Sequence, residues 1–145
     1  MIKIYSISLF FLFMKLSVGY CLNNPNNTYL FNDTLKVRFN YKTGKKENGI
    51  YFHYGKKTDF KHQKNSIKNG FYVITDCLMN FEIINQEVIR YFNFGFPEAD
   101  FILQSTQHFY FLTVYFTESK EDAMNKVMET KSAGVPHVWV QVLEE

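Results

Sequence analysis

The four histidines and two cysteines of this 145-residue chain are its best candidates for metal binding or nucleophilic catalysis. The histidines lie far apart, and none has a second ligand at a spacing such as HxxxH or CxxC; they are His53, His62, His108 and His137. The chain also lacks a glycine-rich phosphate loop and a nucleophile motif. The spacing therefore predicts no metal site, no cofactor and no catalytic nucleophile.

The carboxylates also lack a catalytic arrangement. Glu98 and Asp100 fall in a predicted turn, where exposure to solvent accounts for the presence of acidic side chains. Glu118, Glu121 and Asp122 fall at the start of a predicted helix, where the helix dipole favours negative charge. General acid–base catalysis needs side chains that converge on one substrate atom, and no spacing here indicates that. We therefore predict that the protein is not an enzyme.

Residues 109–142 are predicted to form a strand, a helix and a second strand. Phe109–Phe116 is rich in aromatic and β-branched residues, which suit a strand. Ser119 is placed to cap the helix and Gly134 to end it. Residues 138–142 then alternate between valine and other side chains, as a strand does.

The preceding stretch, residues 71–104, repeats this plan. Phe71 corresponds to Phe109, and Gly95 corresponds to Gly134. Two such halves in tandem predict an α+β, ferredoxin-like βαββαβ domain, with an antiparallel four-stranded sheet and two helices on one face. We predict three regions: a signal peptide (1–19), a basic segment with a β-hairpin and a linker (20–70), and this domain (71–145).

Segment 71–143 resembles the SPOR domain, a peptidoglycan-binding module of bacterial envelope proteins. The resemblance rests on FYVIT, on GFPEADFIL after the first helix, on FYFLTVYFTESKEDA, and on the closing GVPHVWVQV. It implies an exported, non-enzymatic module of the periplasm or cell envelope, linked to cell division or wall remodelling. It also implies that the open face of the sheet binds glycan strands stripped of stem peptides.

Strand alternation identifies the residues of that open face. If Val73 and Phe111 point towards the helices, their neighbours point away from them. The predicted glycan-binding residues on that face are Tyr72, Ile74, Tyr110, Leu112, Trp139 and Gln141. Tyrosine and tryptophan rings offer flat apolar surfaces with a polar edge, which suits stacking on sugars. The family commonly has a polar residue where this chain has Ile74.

Two alternatives use the same apolar face. It is a candidate surface for dimerisation or for binding another envelope protein, because monomers seldom expose so large an apolar patch. It is equally a candidate for burial under a hairpin predicted from Thr34–Tyr41 and Gly49–Tyr54.

The first residues predict export. Lys3 precedes an apolar run, Ile4–Met14, which is too short to span a bilayer but typical of a secretory signal. Small residues before Tyr20 indicate cleavage there. Cys21 is then open to three fates: lipidation, a disulfide with Cys77, or a free thiol.

Charge divides the chain sharply. Residues 20–70 carry ten basic and three acidic side chains, a net charge of +7, whereas residues 71–145 carry four and eleven, a net charge of −7. The basic segment is expected either to pack on its own acidic domain or to touch an anionic surface such as lipopolysaccharide or acidic lipid. Nucleic acid is not an expected partner of an exported chain.

Overall fold

The structure is a computed structural model that describes residues 39–145 in full and the backbone of two strands before them. These strands, β1 (Tyr29–Phe31) and β2 (Thr34–Lys36), pair antiparallel as a separate sheet. The predicted signal peptide, its cleavage site and Cys21 lie outside the described residues.

The main sheet has seven strands in the order β3-β4-β9-β6-β8-β7-β5, and only the β4–β9 pair is parallel. The strands are β3 (Lys45–Glu47), β4 (Ile50–Lys56), β5 (Phe60–Lys61), β6 (Gly70–Leu78), β7 (Asp100–Gln104), β8 (Phe109–Thr117) and β9 (Trp139–Glu144). Helix α1 (Phe81–Asn93) joins β6 to β7, and helix α2 (Lys120–Ser132) joins β8 to β9.

The α+β class is as predicted, and the elements from β6 to β9 follow the expected order βαββαβ. The prediction of a four-stranded antiparallel sheet is wrong. Strands β9, β6, β8 and β7 are antiparallel neighbours, but β4 and β3 extend the sheet at one edge and β5 at the other. Residues 139–143 of β9 are buried throughout, and a strand buried on both faces normally pairs along both of its edges. Strand β4 fills that second edge.

The predicted hairpin is also placed wrongly. Strand β4 pairs not with the 34–41 stretch but with β3, through a two-residue turn at Asn48 and Gly49. Both turn residues have positive φ, 48° and 79°. That conformation matches the strand twist of tight hairpins and favours an Asn-Gly pair.

A side-chain cap begins each helix, and the cap predicted at Ser119 is confirmed. The side chain of Asn80 accepts hydrogen bonds from the Glu82 and Ile83 amides at 2.8 and 3.2 Å. The Ser119 hydroxyl accepts one from the Asp122 amide at 3.2 Å. These bonds satisfy amides that have no partner within the helix, and so they fix where each helix begins.

The sheet must curl, because strands β4 and β5 are close in sequence but far apart in strand order. In a flat sheet, the five spacings between them would amount to ~24 Å. The chain from Lys56 to Phe60 spans four residues and reaches ~14 Å at most. Register shifts beside Thr75 in β6 and Val114 in β8 mark bulges, which bend a sheet further.

The curl creates two cores. The helix-side core lies between the sheet and the helices and includes Val73, Ile84, Tyr91, Leu112, Val114 and Val127. The inner core lies on the concave face and includes Phe60, Tyr72, Ile74, Ile102, Phe111, Trp139 and Leu143. The described structure therefore packs both faces of its sheet.

Candidate functional site

The predicted glycan-binding residues do not share one face. Tyr72, Ile74 and Trp139 belong to the inner core, away from the helices, as expected. Gln141 is buried and lies two residues from Trp139 on the same strand, so it faces the same side. Tyr110 and Leu112 pack instead in the helix-side core, so the face predicted for them is wrong.

The error in β8 comes from register. Directly opposed residues of an antiparallel pair share a face, and Leu78 opposes Tyr110. Leu78 lies in the helix-side core, so Tyr110 lies there too, and Phe111 points into the inner core. Comparing the two halves of the chain equated Phe111 with Val73, but the bulges break the simple alternation between those positions.

The predicted open face is covered. Ile74 is 0% exposed and Trp139 is 2% exposed. The cover includes Phe39 and Tyr41 from the segment before β3, and Phe60 and Ile67 from the segment after β4. The alternative of a buried face is therefore confirmed in outline, although β4 itself joins the sheet instead of lying over it.

Aromatic rings of the covering segment pack on Trp139 and extend from it towards the protein surface. Tyr41 lies 5.3 Å from Trp139 with the rings 10° apart, and Phe39 lies 5.6 Å away at 23°. Tyr51 of β4 contacts Tyr41 edge to face at 5.6 Å. Tyr41 and Tyr51 are partly exposed. We call the partly exposed rings of Tyr41, Tyr51, His53 and His137 the aromatic surface.

Hydrogen bonds hold these rings in place. The Tyr41 hydroxyl bonds to Nδ1 of His137 at 3.1 Å, and the Thr43 hydroxyl bonds to Nε2 of His53 at 3.2 Å. Burial lowers the pKa of His53 below its usual range, which favours a neutral ring. Gly44 lets this turn press against β4, because a Cβ there would lie 2.6 Å from the Phe52 carbonyl oxygen.

Two lysines border the aromatic surface. Lys42 is exposed and follows Tyr41 directly. Lys46 is the cross-strand neighbour of Tyr51, and its Nζ lies 5.5 Å from the centre of that ring. Within residues 39–145, neither lysine forms an ion pair. Neighbouring Glu47 is occupied by Lys45 and Lys120, and Lys120 lowers the Glu47 pKa most strongly.

The basic segment meets the acidic part of the chain at few points. Lys57 pairs with Glu145 at 3.2 Å, and Glu47 pairs with Lys120 in the opposite sense. Over the described part of the chain, the other ion pairs within 4 Å do not join a lysine of residues 39–68 to an acid of residues 71–145. Strand pairing of β4 with β9 and of β5 with β7, together with apolar packing, attaches the segment to the rest of the sheet more than charge pairing does.

One histidine–carboxylate pair resembles a catalytic dyad but has no free base. Nε2 of His62 lies 2.8 Å from the carboxylate of Asp100. Nδ1 of His62 accepts hydrogen bonds from the Lys64 and Asn65 amides at 3.0 and 2.9 Å. The ring proton must then sit on Nε2, which donates a hydrogen bond to Asp100. Neither ring nitrogen is therefore free to accept a proton from a substrate. The pair anchors the loop after β5 to β7.

Three other candidates for chemistry are a surface groove, a metal-binding cluster and Cys77. One surface groove, about 620 Å³, has both acidic and basic side chains beside apolar ones and includes Lys57, Lys68, Phe71, Glu118 and Glu144. Residues 39–145 contain no group of three side chains placed to hold a metal ion. Cys77 is partly buried and bridges no other described cysteine, and burial raises its pKa, which makes it a poor nucleophile.

Comparison with known proteins gives no family for the chain. No protein-family model matches it, and no curated protein or solved structure is significantly similar to it. The resemblance to the SPOR domain therefore stays a prediction. No described helix combines the length and apolar character needed to cross a bilayer.

Proposed function

We propose that the protein is an exported, non-enzymatic module that binds peptidoglycan glycan strands in the bacterial cell envelope. We place the contact at the aromatic surface, not at the sheet face. The observation that supports this is the pair of partly exposed rings, Tyr41 and Tyr51, held on the buried Trp139 and bordered by free lysines.

This arrangement suits a saccharide in two ways. A tyrosine ring already fixed by packing and by a hydrogen bond loses little conformational entropy on binding a sugar. Lys42 and Lys46 add positive charge beside the rings, which favours a glycan that bears lactyl carboxylates. The acidic domain charge, which opposes such a ligand, is thus offset locally by the basic segment.

The alternative that the sequence offered, assembly through the sheet face, has less support. A partner would have to displace Phe39, Tyr41 and Ile67, which pack against the inner core. Losing that packing would cost much of the stability of a small domain, which is ~5–15 kcal/mol in total.

Co-sedimentation with purified sacculi tests the proposal. The sacculi are compared before and after an amidase removes the stem peptides, and binding is expected to rise with removal. Tyr51→Ala should weaken binding at least ~5-fold, since truncating an interface anchor typically costs over ~1 kcal/mol. Tyr54→Ala is the matched control, because Tyr54 lies on the same strand but on the opposite face and is 52% exposed.

The outcomes separate clearly. Loss of binding in Tyr51→Ala with normal binding in Tyr54→Ala, and with both variants folded by circular dichroism, supports the aromatic surface. Equal binding by both variants would move the site elsewhere. No binding of the wild type to either preparation would remove the glycan proposal.

A further inference from the structure

Residues 62–69, which join β5 to β6, cross the concave face of the sheet. Strand β5 lies at one edge of the sheet, and strands β7 and β8 separate it from β6. The segment must therefore pass over both of these strands, and Ile67 packs against the inner core on the way. We call residues 62–69 the strap.

Two side chains anchor the strap, one near each end. Nδ1 of His62 accepts hydrogen bonds from the Lys64 and Asn65 amides at 3.0 and 2.9 Å. At the other end, the Tyr72 hydroxyl accepts a bond from the Lys68 amide at 3.0 Å and donates one to the Lys68 carbonyl at 3.1 Å. The strap itself forms neither helix nor strand, so these side-chain bonds take the place of regular backbone pairing.

The two anchors differ in their response to acid. Burial raises the pKa of the Tyr72 hydroxyl, which therefore stays neutral. Histidine is the side chain that ordinarily gains a proton just below neutral pH. A proton added to Nδ1 of His62 would turn this acceptor into a donor that faces two amide donors. Both amide bonds would then be lost, whereas the bond from Nε2 to Asp100 would remain and gain charge assistance.

Few charges surround the His62 ring. Asp100 reaches it from β7 and favours the protonated form, but this carboxylate is 49% exposed and so partly screened by solvent. Lys61 and Lys64 are exposed neighbours on the same segment, and their positive charge opposes that of Asp100. Phe101 contributes a ring at 6.4 Å and no charge. The two amide bonds are therefore the contacts that protonation removes.

We propose that the strap is a pH-sensitive cover, held in place by neutral His62 and loosened when that ring gains a proton. Residues 67–69 of the strap also form part of the wall of the groove of about 620 Å³. Loosening the strap therefore opens both this groove and the inner core beneath Ile67. The inference does not rest on the glycan proposal, because the aromatic surface contains no residue of the strap.

Hydrogen exchange followed by NMR tests the cover between about pH 8 and pH 4.5. That range brackets the ordinary histidine pKa of ~6.5 and stays above the ordinary aspartate value of ~3.9. Protection of the Lys64 and Asn65 amides, corrected for the intrinsic effect of pH on exchange, should fall at least ~5-fold as the ring gains its proton. The ring nitrogen shifts of His62 report its protonation, and the amides of β8 should keep their protection.

Two variants sharpen the test. His62→Asn keeps a side-chain oxygen that can accept bonds from amides two and three residues on, and it does not titrate, so protection should be independent of pH. His108→Asn is the matched control, because His108 is exposed and has a φ of 57°, which asparagine tolerates. This control should lose protection as the wild type does.

Three results would overturn the proposal: a His62 ring that gains its proton while both amides stay protected, a ring that does not titrate in this range, or an equal loss of protection in His62→Asn. A parallel loss in β8 would mean that the whole domain unfolds, and it would overturn the proposal as well. The wild-type titration decides the matter even if His62→Asn does not order the strap. Sacculi play no part in this measurement, so failure of either proposal leaves the other standing.

Discussion

Replacing Trp139 distinguishes a core ring from a ligand-stacking ring. Its side chain is 2% exposed, and its ring packs on Phe39, Tyr41 and Phe111 at 5.6, 5.3 and 6.1 Å. Truncating a buried aromatic residue to alanine typically costs ~3–5 kcal/mol. A domain of this size has ~5–15 kcal/mol in total. Trp139→Ala should therefore lose roughly a fifth or more of its stability.

Trp139→Phe is the matched conservative change. It keeps a ring in the stack, and an apolar replacement of similar shape usually costs below ~1.5 kcal/mol. The Trp139 Nε1 is buried and has no hydrogen-bond partner in the described part of the chain. Removing it therefore breaks no hydrogen bond and removes an unsatisfied donor. The two variants should differ by ~1.5 kcal/mol or more.

Urea unfolding followed by circular dichroism measures the difference. With a denaturant slope of ~2 kcal/mol/M, Trp139→Ala should lower the midpoint by about 2 M and Trp139→Phe by under 1 M. Trp139 is the only tryptophan, so acrylamide should quench the native fluorescence weakly and the unfolded fluorescence strongly. If Trp139→Ala unfolds at the wild-type midpoint but no longer binds sacculi, the ring is an exposed ligand contact and our description of the inner core is wrong.

Two further predictions concern backbone strain and pH. Gly70→Ala should destabilise by over ~2 kcal/mol, because φ is +144° and a Cβ would lie 2.7 Å from the Thr117 carbonyl oxygen. Gly49→Ala, where φ is +79° but the space is open, should cost only ~1–2 kcal/mol; equal urea midpoints would contradict this. Burial lowers the folded-state pKa of His53, so the unfolded chain binds a proton more readily. Stability should therefore fall as the pH drops below about 6.5, and less so in His53→Gln; parallel pH profiles of the two proteins would exclude this role for His53.

The local elements of the C-terminal half could be predicted from the sequence. Aromatic and β-branched runs mark β6 and β8, and Asn80 or Ser119 with the glycines after each helix mark α1 and α2. These signals act within a few residues, because caps and side-chain alternation depend on near neighbours.

The orientation of α1 was beyond such patterns. Ile84, Val88 and Phe92 fit one helical stripe, and the sequence places Phe92 in the core. In the structure Tyr91 is buried instead and Phe92 is exposed. Both arrangements satisfy the helical period. The Tyr91 hydroxyl donates a hydrogen bond to Asp76 on β6. This tertiary contact accompanies the rotation of α1 about its axis that places Tyr91 in the core.

The candidate site was decided by contacts between distant residues. Two bulges set which face of β8 each side chain occupies, and pairing of β4 with β9 brings Tyr51 towards Trp139. The sequence by itself determined the elements and supplied the aromatic residues for a site. Only the tertiary structure decided that Trp139 is buried and that Tyr41 and Tyr51 are the partly exposed rings beside it. The physical reason is that strand register and sheet closure depend on pairings between distant residues, which no local pattern specifies.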